Sequence, residues 1–237
     1  MFLSVIFFMP KPAHAFVVDG NLSDWGVTPS TWGNSQWVPA PGVSYTEEAQ
    51  NTYYLNPGYG GHLFDAEAMY AKYDSTNLYF AVVTGMPSTG SSGYRPGDIA
   101  FDFGKNGSFE YGIETTPTSG HVTGGLYSVQ TWAQGLWNNY DPTEMISTNG
   151  LLGTGSLVYN NTFYGSDASG DHYVIEGSIP LSYFGANWGT PFNMSWTETC
   201  GNDVISLSVT PTPEPMTLTL FGVGLAGLML RRRMNMI

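Results

Sequence analysis

The chain has 237 residues, with 30 Gly, 15 Pro, 7 Trp, 15 Tyr and 13 Phe, yet only 11% of its residues are charged. Its formal charge is −12, and between residues 16 and 210 there are 18 acidic side chains against 3 basic ones. That length suits one large β-sandwich or two small domains; the acidity argues against nucleic acid as a partner, which needs a basic footprint, and the aromatic content argues against a disordered acidic tail.

Residues 2–9 form a short apolar run, followed by Pro10, Pro12 and Ala13-His14-Ala15. A run this short, closed by an A-x-A site, reads as a signal peptide over residues 1–15, cut after Ala15. Its basic n-region is missing, since Lys11 lies beyond the apolar run. The expectation is a start codon placed too late, with the basic segment upstream.

Residues 16–210 read as one all-β domain, an antiparallel β-sandwich of jelly-roll or immunoglobulin-like type with long loops. Residues 65–73 have a helix-prone composition, but Asp74-Ser75-Thr76-Asn77 is a turn signal leading directly into the apolar run 78–83, so the pair is expected as a hairpin. Ile99-Ala100-Phe101-Asp102-Phe103 and Phe109-Glu110-Tyr111-Gly112-Ile113-Glu114 alternate with period two, which places aromatic and aliphatic residues on one face and carboxylates on the other. Residues 173–179 put Tyr173, Ile175 and Ile179 inward and stop at Pro180. Long loops are expected at 26–62, 85–97 and 133–171, of which the first and last are candidate binding surfaces.

After Thr210 the composition changes. Pro211-Thr212-Pro213-Glu214-Pro215 precedes an apolar, Gly-rich run from Met216 to Leu230, and Arg231, Arg232 and Arg233 follow. As a single helix the 15-residue run spans roughly 22 Å, short for a hydrocarbon core of about 30 Å, so it needs tilt or local thinning. The three Arg side chains would remain cytoplasmic. Motif, span and basic tail, in this order over residues 211–237, resemble the PEP-CTERM sorting signal. The resemblance implies recognition by an exosortase, transient insertion in the inner membrane over 216–230, removal of the tail near Pro213-Glu214-Pro215, and delivery to the cell surface or extracellular matrix. Glu214 and the Arg cluster are then features read by a processing enzyme.

Four stretches of the body carry a second resemblance: Val17-Val18-Asp19-Gly20-Asn21-Leu22-Ser23-Asp24-Trp25, the run 73–82, Gly97-Asp98-Ile99-Ala100-Phe101-Asp102, and the run 173–180. In this order they are similar to family-nine-like carbohydrate-binding β-sandwiches, relatives of DOMON-type sugar or haem modules. No Met/His pair stands out as haem ligands. Trp196-Thr197-Glu198-Thr199-Cys200-Gly201-Asn202-Asp203 resembles a segment found just before this sorting signal in secreted proteins.

The chemistry-bearing residues are few. His62, His121 and His172 are isolated, with no H-E-x-x-H, G-x-S-x-G or P-loop pattern, so no catalytic residue is assigned. Carboxylates paired in space for glycoside hydrolysis would leave no spacing signature. Cys200 is the only cysteine, so the chain has no internal disulfide, and the thiol is expected to be a buried small hydrophobe.

A hairpin in which facing residue numbers sum to 212 sets Asp102 opposite Glu110 and Asp98 opposite Glu114, all on the non-core face. Like charges facing across a sheet are destabilising, and Ca²⁺, which takes carboxylate oxygens, would reverse that sign. Asp98, Asp102, Glu110 and Glu114 are therefore a candidate Ca²⁺ site; the alternatives are a solvated acidic face softened by Lys105, or a shifted register. Asp19, Asp24 and Asp203 are further candidate ligands, with Asp19-Gly20 also reading as turn chemistry.

Sugars present apolar C–H faces edged by hydroxyls, which suit flat aromatic rings beside amides and carboxylates. Trp132, Trp137 and Tyr140 with Asn138 and Asn139 form one such cluster, and Trp32, Trp37 and Tyr45 another, while Trp25 and Trp196 are expected in the core. Together these readings predict an exported protein that associates non-catalytically with extracellular polysaccharide. The alternatives are a structural matrix protein with no specific sugar, and a glycan-active enzyme.

Overall fold

The computed structural model describes residues 16–27, 37–47, 61–117, 120–136, 141–160 and 171–212. The expected signal peptide and the apolar helix at 216–230 lie outside them. Eleven strands follow in chain order: β1 Ser44–Glu47, β2 Ala66–Tyr73, β3 Asn77–Thr84, β4 Ile99–Phe103, β5 Tyr111–Ile113, β6 Gly125–Gln134, β7 Pro142–Thr154, β8 Ser156–Tyr159, β9 Tyr173–Pro180, β10 Phe192–Thr197 and β11 Val204–Val209. Two 3₁₀ turns, His62–Phe64 and Leu181–Asn187, complete the described elements. A five-stranded sheet has the order β1-β2-β3-β9-β8, a six-stranded sheet the order β11-β10-β4-β5-β6-β7, and the pairings are antiparallel.

The main core lies between the sheets. Met69, Phe80, Val82, Ile175 and Ile179 meet Phe101, Phe103, Ile113, Met194, Trp196 and Leu207 there. Period-two alternation supplies these side chains: on β11, Ile205, Leu207 and Val209 are buried while Ser206 and Ser208 are exposed. The β2–β3 hairpin forms at Asp74–Asn77, where Asp74 Oδ1 accepts the N–H groups of Thr76 and Asn77 and Oδ2 accepts the Tyr79 hydroxyl. The helix-prone composition of 65–73 is overridden by cross-strand packing, since six consecutive residues of β2 are buried.

The run 78–83 is apolar throughout because both of its faces are covered. The outer face of the five-stranded sheet carries a second core, in which Leu22, Trp25, Val27 and Trp37 lie on Ala68, Tyr70, Ala81, Val83 and Val174. Glu176, on the same outer face of β9, fixes this cover. Its carboxylate accepts the backbone N–H groups of Asp19 and Gly20 and the indole N–H of Trp25, at 2.9, 2.7 and 2.7 Å. Two stretches that shared one family resemblance, 17–25 and 173–180, are thus parts of one hydrogen-bonded unit.

Residues 133–171 are not one long loop, because β7, β8 and the end of β6 occupy much of that range. The β6–β7 pairing has repeated register shifts, which break the strict alternation by which a strand is recognised. β1 likewise falls inside the expected loop 26–62.

Candidate functional site

The acidic hairpin has the anticipated register: Ile99 pairs with Ile113, Ala100 with Gly112 and Phe101 with Tyr111. Its carboxylates are not a solvated face. Asp98, Asp102 and Glu114 are buried, and Glu110 is half-buried. Each oxygen of Asp98 accepts a backbone N–H, from Thr115 and from Met145 on β7. Asp102 accepts the N–H groups of Asn106 and Gly107 and so shapes the β4–β5 turn, while Glu110 accepts that of Phe103. Glu114 lies 3.2 Å from His121 Nδ1. Burial, and after it the neighbouring Glu114 carboxylate, holds Asp98 well above the usual carboxylate range. Asp19 is turn chemistry, accepting the Asn21 N–H, and Asp203 accepts the N–H of Ala66.

On the outer face of the six-stranded sheet an open cleft of about 500 Å³ runs beside β6. Gln130, Trp132 and Gln134, spaced by two along the strand, line it with Glu110, Asp141 and Asn149. Trp132 is the one aromatic of the 132–140 cluster among the described residues, and it is held firmly. Its indole N–H donates to the Phe109 carbonyl at 2.9 Å. Its ring lies over Gly112, where a Cβ would come within 2.6 Å of Cη2 and of Met145 Sδ. A strand glycine marks this close approach. Trp137, Tyr140 and Trp32 lie outside the described residues. Trp37 is 2% exposed, its ring 5.1 Å from that of His172, so it belongs to the interior and offers no face to an external sugar.

A third cluster had no counterpart in sequence. His62, Glu67 and His172, all buried, each bring one potential ligand atom within 4.8 Å of the others. Among the described residues these three form such a set, and the four hairpin carboxylates do not. Ala66 pairs with Thr84 and Ala68 with Val83, so Glu67 is the extra residue of a β-bulge. A bulge re-aims a side chain, and Glu67 Oε1 meets His172 Nε2 at 2.9 Å. His62 sits on the 3₁₀ turn before β2, seated against Gly85, where a Cβ would lie 1.7 Å from the His62 carbonyl oxygen. No spacing rule joins positions 62, 67 and 172; only the bulge and the adjacency of β2, β3 and β9 bring them together.

Cys200 is buried, and burial followed by the nearby Glu198 carboxylate pushes its thiol up to about 11. It is therefore neutral and unreactive at ordinary pH. Where the described chain leaves β11, the Tyr73 hydroxyl accepts the N–H of Thr212 at 2.6 Å, pinning the start of the terminal segment to the sandwich.

Comparison with known proteins locates a PEP-CTERM protein-sorting motif at residues 211–233. It covers the Pro-Glu-Pro residues, the apolar run and Arg231, Arg232 and Arg233, and it implies export, a transiently membrane-anchored C-terminus and processing by an exosortase. Neither a curated protein nor a solved structure matches the chain.

Proposed function

We propose that residues 16–210 form a non-catalytic carbohydrate-binding sandwich, which the exosortase pathway delivers to the cell surface or extracellular matrix, where it associates with extracellular polysaccharide. The observation that carries this reading is the cleft beside β6. It is open at the surface and encloses about 500 Å³. It sets one immobilised indole among side-chain amides and carboxylates. An aromatic plane takes the apolar face of a pyranose, and amides and carboxylates take its hydroxyl edge, the pairing of apolar wall and few polar groups found in ligand sites. Trp132 is ordered before any ligand arrives, so little freedom is lost on binding. The acidic surroundings favour neutral or cation-bridged glycans over strongly anionic ones, and Ca²⁺ enters the proposal as such a bridge.

The test is a binding isotherm of the full chain on polysaccharide from the producing organism, measured with Ca²⁺ and with chelator. Saturable retention supports the reading, and its loss in chelator identifies cation bridging. Absence of retention in both conditions would replace it with a structural matrix role. Release of soluble sugar from the polysaccharide would replace it with glycan hydrolysis.

A further inference from the structure

The buried cluster at the shared end of β2, β3 and β9 has a feature that a simple hydrogen-bonded trio does not explain. His62 Nε2 hydrogen-bonds to the backbone carbonyl of Asp171. A carbonyl only accepts, so in neutral imidazole Nε2 carries the proton and Nδ1 carries the lone pair. That Nδ1 is buried and has no hydrogen-bond partner. An orphaned buried acceptor is destabilising, and here it belongs to a residue whose neighbours are a second imidazole and a carboxylate.

We propose that His62, Glu67 and His172 bind a divalent first-row transition ion of the Zn²⁺ class. Two imidazole nitrogens and one carboxylate oxygen are a ligand set that such ions use with a fourth, non-protein position. Ca²⁺ and Mg²⁺ prefer all-oxygen sites and are poorly served by it. The dimensions agree. Donors on one tetrahedral Zn²⁺ lie about 3.3 Å apart at bond lengths of about 2.0–2.2 Å. Each of the three residues has a potential ligand atom within 4.8 Å of those of the other two, and His172 Nε2 and Glu67 Oε1 stand at 2.9 Å, near the spacing one ion requires. The Asp171 carbonyl supplies the outer hydrogen bond that commonly fixes the tautomer of a metal-binding histidine. The rings of His62 and His172 are edge-on, 4.7 Å apart between centroids, and Trp37 covers the His172 side.

The ion would act as a cross-link. It joins the turn before β2, the bulge in β2 and the residue preceding β9, and Glu67 and His172 are 105 positions apart. The chain has one cysteine and so no internal disulfide to do the same work. The site is remote in role from the cleft at β6, so failure of either proposal leaves the other standing.

The test is titration of the metal-stripped full chain with ZnCl₂, followed by calorimetry and by metal analysis after dialysis. The expected result is one tightly held Zn²⁺ per chain and a raised Tm, with no comparable response to CaCl₂. Glu67→Gln keeps a neutral acceptor beside His172 and should weaken Zn²⁺ binding at least about 100-fold, as should His62→Gln, whereas His121→Gln, at the separate Glu114 pair, should bind as wild type does. Zinc-edge X-ray absorption of the loaded wild-type chain should show two imidazole ligands, a readout that does not depend on any variant folding. Absence of Zn²⁺ uptake at micromolar free metal overturns the proposal. So does equal uptake by wild type and Glu67→Gln, or an absorption spectrum with fewer than two imidazoles; any of these would leave a hydrogen-bonded trio only.

Discussion

Three N–H groups from the start of the body converge on Glu176, so Glu176→Ala leaves the buried donors of Gly20 and Trp25, and the part-buried one of Asp19, without their acceptor. At about 1–3 kcal/mol for each of the two buried groups, the variant should lose about 3 kcal/mol. Thermal unfolding should then shift down by roughly 6–12 °C for a body of this size; a shift within about 2 °C would mean that the cover does not depend on this carboxylate. Asp98 is measured through pH. Its folded pKa is raised, first by burial and then by Glu114. The folded state therefore holds the proton more tightly than the unfolded chain does. The stability due to this group is complete below the ordinary carboxylate range, about pH 4, and declines as pH rises through the raised folded value. Glu176, raised by burial despite its hydrogen bonds, acts in the same direction. In denaturant titrations, Asp98→Asn should lose stability less steeply than wild type as pH rises above about 4; parallel pH profiles would show that Asp98 ionises normally.

At the scale of elements, Gly112 decides whether β5 and β6 can present the cleft. Gly112→Ala places a methyl group 2.6 Å from both the Trp132 ring and Met145 Sδ, so both must move or the strand must shift. The expected cost is about 1–3 kcal/mol, with a change in Trp132 fluorescence; an unchanged spectrum and melting curve would show that the ring is not held against the strand. The same hairpin shows what alternation reveals. Ile99, Phe101, Tyr111 and Ile113 fixed its register, because a slip of one residue would turn the apolar face to solvent. That reasoning did not reveal that the opposite face is also enclosed, since β7 reaches Asp98 through the Met145 N–H. The strands β6 and β7 were partly hidden by their register shifts. Glu67 was hidden for the same reason: an inserted residue changes where a side chain points without changing the residue types on either side.

At the scale of the molecule, both ends of the described body are fastened to one sheet. Phe16 packs on Trp25 and Tyr79 over the five-stranded sheet, and Thr212 is tied to Tyr73 at the end of β2. The residue after the expected cleavage point is thus a structural residue, and the sorting motif begins where the sandwich ends. Removing residues 16–27 should uncover Tyr70, Ala81, Val83 and Val174, and the truncated chain should aggregate or bind an apolar dye during export; a soluble, cooperatively folding truncation would contradict the two-core description. The sorting segment was legible as a linear order of composition, and so was the β class of the body, from alternating apolar positions and turn residues. The cleft and the histidine cluster were not, because both depend on which strands become neighbours.

The role of the molecule turns on whether the cleft beside β6 holds polysaccharide. The most direct measurement is the affinity of the full chain for the producing organism's polysaccharide, compared between wild type and Trp132→Ala with Gln134→Ala as a second, solvent-exposed probe of the same cleft. Trp132→Ala should lose at least about tenfold in affinity, equivalent to about 1.4 kcal/mol, and Gln134→Ala should lose less, each in a protein that still unfolds cooperatively. Affinity equal to wild type in both variants would contradict polysaccharide binding in the cleft.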